Sequence, residues 1–256
     1  MRRIRLLTLM VLLLILLSFV LSACSLNEPD VNQRPVRSLQ LVSSFPLQIP
    51  EPSGLSLDFD GQALWTVSDR SNRVIKIDFQ GHILKTLSYQ GHDLEGITVD
   101  TVRHTLWIVE EHTREVVELD TTGRELERHR ILSGNDNNGL EGICIDAEHR
   151  FFVVKEKKPG LFIALNSDFT IKSKREITFA GDFSGMCADT LLNRFWILSD
   201  QDESLFYWDR QKGVLSRYSL NVTKPEGIAV DFNKGLAYVV SDARSVLYVF
   251  RLQNSD

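Results

Sequence analysis

The stretch Asp93-Leu94-Glu95-Gly96-Ile97-Thr98-Val99-Asp100 recurs along this chain, and its period is the main evidence for the fold. Close copies lie at residues 139–146 and 225–231, and looser copies lie at 53–58 and 184–189. The aspartates that close the five copies are 42, 46, 43 and 42 residues apart. A period of this size indicates a repeat architecture, and four strands in each repeat predict a β-propeller.

Each copy is followed by two runs of β-branched and aromatic residues, which are typical of strands. Four of the five repeats add a polar fourth run, at residues 83–87, 125–129, 171–175 and 214–218. The last repeat stops after its third run, and the strand-like residues 38–45 precede the first repeat. The extra strand before the first repeat can supply the strand that the last repeat lacks. This pairing closes the ring and leaves no open sheet edge. We predict an all-β fold, a five-bladed β-propeller of four-stranded blades, in which residues 38–45 complete the last blade as its outer strand.

One aromatic position recurs in the second strand of every repeat, which favours packing between blades over a sugar-binding platform. The residues are Trp65, Trp107, Phe152, Trp196 and Tyr238. Trp208 departs from this pattern, and we expect it to be exposed. Cys144 and Cys187 hold equivalent positions in neighbouring repeats, so their side chains follow rather than face each other. We therefore expect two buried free thiols instead of a disulfide.

Residues 1–23 have the organisation of a signal peptide, with a basic start, an apolar run from Leu6 to Val20, and small residues before Cys24. This arrangement resembles the lipobox of bacterial lipoproteins. The resemblance implies cleavage before Cys24, acylation of that residue by a chain such as palmitate, and a membrane anchor. An uncleaved anchor helix is the alternative, since the apolar run is near the shortest length that spans a bilayer.

The sequence then divides into a polar tether at residues 24–36 and a single propeller domain at residues 37–253. We expect the protein in the bacterial cell envelope. Ser25 is not the aspartate that retains lipoproteins at the inner membrane, so a Gram-negative host predicts the outer membrane, facing the periplasm. A net charge of -5 argues against nucleic acid as a partner. We expect a monomer.

Carboxylates should meet at one mouth of the central channel. Glu95, Glu141 and Glu226 open three inner strands, and an acidic residue closes the second strand of every repeat: Asp69, Glu111, Glu156, Asp200 and Asp242. Because the second strand is antiparallel to the first, both sets converge on one face, which we call the acidic mouth. His92, Asp93 and Asp182 lie in loops on the same side and are further candidates to contact a ligand.

Crowded carboxylates either have raised pKa values or bind a cation. Sites built from oxygen ligands suit hard ions, so Ca²⁺ is the first candidate. The alternative for the acids that close second strands is that they cap turns or form a solvated rim. The glycine after each glutamate either lets a ligand approach the backbone or relieves crowding at the propeller axis.

The repeated phrases, Leu94-Glu95-Gly96-Ile97-Thr98 above all, resemble the SdiA-regulated family of bacterial β-propellers, which is distantly similar to NHL-repeat proteins. The resemblance covers about residues 38–252. It implies a five-bladed propeller with a bound calcium ion and no assigned activity. We carry the calcium over to Glu95, Glu141 and Glu226. Ser53 and Ser184 stand where the other repeats have glutamate, so the acidic ring is incomplete.

Three functions are compatible with this sequence. The first is a cell-envelope lipoprotein whose propeller binds a ligand or an envelope protein at the acidic mouth, with calcium. The second is a metal-dependent hydrolase of esters, lactones or phosphoesters, which needs an unshared carboxylate or His92 close to the ion. The third is a structural interaction module, which needs an exposed apolar patch on the outer strands.

Overall fold

The computed structural model describes residues 35–134 and 138–252, which form strands and turns. Within these two ranges no helix is long and apolar enough to cross a bilayer. The predicted signal peptide and Cys24 lie outside the described residues. The strands are β1 (Val36–Ser38), β2 (Gln40–Pro46), β3 (Pro52–Leu57), β4 (Leu64–Ser68), β5 (Arg73–Ile77), β6 (Ile83–Thr86), β7 (Leu94–Asp100), β8 (Thr105–Glu110), β9 (Glu115–Leu119), β10 (Glu125–Arg130), β11 (Leu140–Ile145), β12 (Phe151–Lys155), β13 (Leu161–Leu165), β14 (Ile171–Glu176), β15 (Gly185–Asp189), β16 (Arg194–Ser199), β17 (Ser204–Asp209), β18 (Gly213–Ser219), β19 (Pro225–Asp231), β20 (Leu236–Ser241) and β21 (Val246–Arg251).

The strands form five sheets, and each sheet is one blade of a β-propeller. Blades 1 to 4 contain β3–β6, β7–β10, β11–β14 and β15–β18, and blade 5 has the order β19-β20-β21-β2. The first strand of each blade lies innermost, and the inner strands of neighbouring blades contact one another around a closed ring. The prediction of a five-bladed, all-β propeller is confirmed.

Ring closure follows the prediction, with one addition. Strand β2 pairs antiparallel with β21, from Gln40 opposite Arg251 to Pro46 opposite Val246, and is the outer strand of blade 5. Strand β1 pairs parallel with the outer strand of blade 4, with Val36 opposite Arg217. The N-terminal segment therefore joins blades 4 and 5. The sequence did not predict β1, because its three exposed residues show no apolar alternation and its pairing uses backbone groups alone.

The glycine of each repeated phrase is required by crowding at the propeller axis. A Cβ atom on Gly96 would lie 2.6 Å from the carbonyl oxygen of Glu141 in the next blade. A Cβ atom on Gly54 would lie 2.5 Å from the carbonyl oxygen of Glu95, and Gly227 meets Ser53 in the same way. Of the two interpretations of these glycines, the structure supports close packing of inner strands.

The aspartate that closes each phrase organises the turn that follows. The Oδ1 atom of Asp100 accepts hydrogen bonds of 2.9 Å from the backbone N–H groups of Val102 and Arg103. Asp189 does the same for Leu191 and Leu192. These Asx-type turns explain why an aspartate recurs at this position on the face of the propeller opposite the acidic mouth.

The five recurring aromatic side chains are buried, with exposed fractions between 0% and 7%, which confirms their role in packing. Trp208 was expected to be exposed, and that expectation is wrong, because the residue is 1% exposed. Its ring lies 4.8 Å from that of Phe162 in blade 3, since the third strand of a blade also faces the neighbouring blade. Cys144 is buried and Cys187 is half-buried, and both are free thiols.

Candidate functional site

A polar cavity of about 310 Å³ opens at the acidic mouth of the channel. Among the described residues, every side chain that lines it is polar, and the set contains ten carboxylates and two lysines: Glu51, Ser53, Asp69, Glu95, Glu111, Glu141, Glu156, Lys157, Asp182, Ser184, Asp200, Lys224, Glu226 and Asp242. The fold thus brings all eight candidate metal ligands together in one cavity, along with Asp182.

Irregular strand pairing positions the three glutamates. The register between β11 and β12 shifts between Leu140 and Gly142, so Glu141 has no partner residue on β12. The same shift occurs at Glu226 in β19 and over Glu95 and Gly96 in β7. A β-bulge bends the strand and redirects the side chain of its extra residue. The bulges therefore direct these carboxylates to the channel mouth.

The acids that close the second strands do not cap the turns with their side chains. The turn after β4 is capped by Ser68, whose Oγ accepts a 3.0 Å hydrogen bond from Ser71 N–H. Ser199 plays the same part after β16, accepting from Asp202 N–H at 3.1 Å. In contrast, Asp69 is held through its backbone, with its N–H donating to the carbonyl oxygen of Glu51 at 3.1 Å. This division leaves the acidic side chains for the cavity and favours a ligand-binding role over turn capping.

Two groups of carboxylates are close enough to hold a metal ion. In each group, one oxygen from every member lies within 4.8 Å of the others: Asp69, Asp93 and Glu95 in the first, and Glu111, Glu141 and Glu156 in the second. Glu226 belongs to neither group among the described residues. The three glutamates chosen from the family resemblance are therefore divided between two groups and a separate position.

Glu141 is the most enclosed of these acids. Its exposed fraction is 7%, and its carboxylate receives no hydrogen bond from the residues that the structure describes. Burial raises the pKa of Glu141 well above its usual range, and the negative charges of Glu95 and Glu111 add to the effect. A buried carboxylate without a donor is costly, so this position calls for a cation or a ligand.

The other carboxyl groups are perturbed in the same direction. Burial raises the pKa of Glu111 to about 7, although the N–H of Gly139, which donates to Oε1 at 2.7 Å, opposes the rise. The pKa of Asp69 is raised to about 6, first by burial and then by Asp93. Burial also raises the pKa of Glu95 and of Glu226 well above the usual range. At neutral pH these groups cannot all be ionised unless positive charge enters the cavity.

The two serines that replace glutamate connect neighbouring blades. Ser53 Oγ lies 2.5 Å from Oε2 of Glu95, and this hydrogen bond opposes the rise in the pKa of Glu95. Ser184 Oγ donates to the carbonyl oxygen of Pro225 at 2.6 Å. Each serine thus forms a hydrogen bond with the repeated phrase of the next blade, at Glu95 and at Pro225.

Sequence reasoning missed the two lysines and Glu51. Lys224 Nζ lies 2.6 Å from Oδ2 of Asp242, and Lys157 pairs with Glu156. Their positions within the repeat would have indicated them. Lys224 and Glu51 each lie two residues before the Glu or Ser of their phrase, and Lys157 directly follows the acid that closes a second strand.

The three further candidates take different positions. His92 is exposed and does not line the cavity, and its N–H donates to Oε1 of Glu110 at 3.2 Å. Asp93 joins the first carboxylate group. Asp182 lines the cavity but accepts hydrogen bonds from Ser199 Oγ at 2.6 Å and from Gln201 N–H at 3.1 Å. Its carboxylate is therefore already held by the turn after β16.

Solved structures similar to this chain include a glutaminyl cyclase from Myxococcus xanthus, at a TM-score of 0.69 and 14% identity, covering 87% of this chain and all of the other. A gluconolactonase from Xanthomonas campestris aligns at 0.59 and 12% identity, covering 84% of this chain and 92% of the other. A streptogramin B lyase aligns at 0.51 and 16% identity, covering 82% and 68%. Such low identities show a shared fold alone.

The family model named SdiA-regulated matches residues 47–251. The match begins just after the strand that closes the ring and ends with the last strand of blade 5. It covers all five copies of the repeated phrase and the cavity built on them. The chain belongs to the SdiA-regulated family.

Proposed function

We propose that this protein is a lipid-anchored propeller of the bacterial cell envelope that binds a divalent cation, with Ca²⁺ as the first candidate, and a ligand or partner at its acidic mouth. The anchor rests on the sequence of residues 1–24, where a signal segment ends in Cys24. The binding function rests on the cavity and on the carboxylates that line it.

The observation that carries the proposal is the state of Glu141. The residue is 7% exposed, its carboxylate lines a cavity, and it lies with Glu111 and Glu156 in a group whose oxygens are within 4.8 Å of one another. Among the described residues, no histidine or cysteine lines the cavity, and carboxylate oxygens are what Ca²⁺ prefers. The residues present therefore fit a hard divalent cation.

A hydrolase is the second candidate, and one observation favours it. Glu226 lines the cavity, lies outside both carboxylate groups, and receives no hydrogen bond from the described residues. Its raised pKa suits a group that accepts a proton from water. A bound cation would supply polarisation of an ester, lactone or phosphoester carbonyl or phosphoryl oxygen. His92 takes no part in this version, because it is exposed outside the cavity.

A structural interaction module is the third candidate. The outer strands of blades 5 and 1 expose apolar side chains, with Leu41 51% and Leu84 55% exposed. These side chains offer a second surface for an envelope partner. The cavity does not depend on this surface, so the two functions can be tested separately.

The test is calcium titration of the full-length protein in detergent, by calorimetry and by thermal melting. Wild type should bind Ca²⁺ and melt at a higher temperature, because a ligand at 100 times its Kd stabilises the folded state by about 2.7 kcal/mol. Glu141→Gln should lose at least tenfold in affinity. Glu176→Gln, at an exposed strand end away from the cavity, is the matched control and should bind as wild type does. Wild type that ignores millimolar Ca²⁺ would end the metal proposal and the hydrolase with it.

A further inference from the structure

A second cavity, of about 150 Å³, opens at the end of the channel opposite the acidic mouth. Aliphatic side chains from the inner strands of all five blades line most of it. All the sulfur-containing residues that follow Cys24 in the sequence, namely Cys144, Met186 and Cys187, line this cavity. The fold therefore collects the sulfur atoms of the propeller at one point, away from the carboxylates of the acidic mouth.

The two cysteines come from neighbouring inner strands. Cys144 and Cys187 hold the same position in blades 3 and 4, whose inner strands contact each other. Side chains at this position reach the next blade, since the equivalent Ser56 of blade 1 accepts a 3.2 Å hydrogen bond from Val99 N–H of blade 2. Burial raises the pKa of Cys144 well above its usual range, and the charge of Cys187 adds to the effect. The two sulfur atoms are therefore near enough to interact.

The thiol of Cys144 is buried without a partner. The residue is 3% exposed, and its sulfur forms neither a hydrogen bond nor a disulfide with the residues that the structure describes. Cys187 is half-buried and donates a long, weak hydrogen bond of 3.7 Å to the carbonyl oxygen of Ala188. Burial raises the pKa of Cys187 to about 12, and the N–H of Val230 opposes this rise. Both sulfur atoms can thus serve a ligand in the cavity.

Sulfur determines which ligand suits this cavity. Thiolate and thioether groups are soft donors that favour Cu(I), whereas hard ions such as Ca²⁺ prefer oxygen ligands. Among the described residues no carboxylate lines this cavity, so a hard cation finds no charged oxygen there. A volume of about 150 Å³ admits a metal ion but is smaller than the usual pocket for an organic ligand.

We propose that the end of the channel opposite the acidic mouth binds one soft, thiophilic metal ion, with Cu(I) as the first candidate, between Cys144 and Cys187. Met186 supplies a third sulfur ligand. Each thiol releases its proton to solvent as its sulfur donates an electron pair to the ion, so one Cu(I) displaces two protons and no electron is transferred. The complex carries one negative charge, which the N–H of Val230 helps to stabilise. This site uses no residue of the acidic mouth, so it is independent of the proposed function.

The experiment is anaerobic titration of the full-length protein in detergent with Cu(I), in competition with a chromogenic Cu(I) chelator. Wild type should take up one Cu(I) and show the ultraviolet absorbance of a Cu(I)–thiolate bond. Cys144→Ser and Cys187→Ser should each bind at least tenfold more weakly, because one thiolate is lost, and Met186→Leu should bind several-fold more weakly. Wild type that binds no more tightly than Cys144→Ser, which keeps one cavity thiol, would overturn the inference.

Two control variants locate the ion. Cys24→Ser removes the remaining cysteine of the chain, and Ser56→Ala alters the wall of the same cavity without removing sulfur. Both should bind Cu(I) as wild type does, and loss of binding in Cys24→Ser would refute the cavity site. Thermal melting reports whether each variant is folded. If Cys144→Ser melts early, Cys187→Ser at the half-buried position decides, and unchanged Cu(I) affinity there refutes the inference.

Discussion

The hydroxyl of Ser53 in blade 1 lies 2.5 Å from Oε2 of Glu95 in blade 2. The same oxygen atom of Ser53 is 3.0 Å from the carbonyl oxygen of Glu95. A residue that breaks the acidic ring therefore orients the glutamate of the following repeat. This contact couples the packing of two blades to the geometry of the first carboxylate group.

Ser53→Ala should weaken calcium binding. Loss of the hydroxyl removes a hydrogen bond that lowers the pKa of Glu95, so less of the carboxylate is ionised and its orientation is less defined. We expect an affinity loss of about 1 kcal/mol, the usual contribution of one hydrogen bond. Calorimetry at pH 7 measures it. Ser56→Ala is the control, since Ser56 also bonds blade 2, through Val99 N–H at 3.2 Å, but lines the other end of the channel. Equal losses in the two variants would argue for a purely structural effect.

Without calcium, the folded protein should lose stability as pH rises from about 4.5 to about 7. The pKa of Glu111 is raised to about 7 in the folded state, so this state binds more protons than the unfolded chain across that interval. The free energy of unfolding then falls with increasing pH. Asp69, with its pKa raised to about 6, contributes in the same direction over the lower part of the interval.

Urea denaturation between pH 4.5 and pH 8, in a chelator, measures this slope. Glu111→Gln should reduce the slope, because the titrating group is gone. Saturating calcium should offset the loss at pH 7, since the cation binds the ionised form. Stability that rises through this pH range in the chelator would contradict the raised pKa values.

Gly96→Ala should destabilise the propeller by about 1 to 3 kcal/mol, the usual cost of overpacking. The new methyl group would lie 2.6 Å from a backbone oxygen of Glu141, which cannot move without shifting an inner strand. Gly181→Ala is the matched control, because its methyl group would meet the flexible side chain of Gln201 at 2.8 Å. Urea midpoints report both, and a Gly96 variant as stable as the Gly181 variant would contradict the packing argument.

Cys24→Ser should release the protein from the membrane fraction. Acylation requires the thiol at the cleavage site, and residues 24–36 alone are too polar to hold a bilayer. Cell fractionation with labelled palmitate tests this. Cys187→Ser is the control and should stay in the membrane fraction with its label. Retention of the Cys24 variant in membranes would instead favour an uncleaved anchor helix.

The architecture could be predicted from the order of residues alone, because a propeller repeats one local pattern. The spacing of Asp58, Asp100, Asp146, Asp189 and Asp231 predicted five blades, and the unpaired strand-like residues 38–45 predicted how the ring closes. Antiparallel pairing then predicted that the acids meet at one mouth. Each of these inferences depends on order and period along the chain, which a sequence displays directly.

Distances across the propeller axis could be known only from the folded chain. The fold divided Glu95, Glu141 and Glu226 between two carboxylate groups and a separate position, and it brought Lys157 and Lys224 into the cavity at the acidic mouth. It also added β1 to blade 4 and buried Trp208. Bulges at the phrase and the contact between neighbouring inner strands set these distances. Inner-strand residues of neighbouring blades that meet at the axis, such as Gly96 and Glu141, are more than 40 positions apart, so no local pattern specifies their separation.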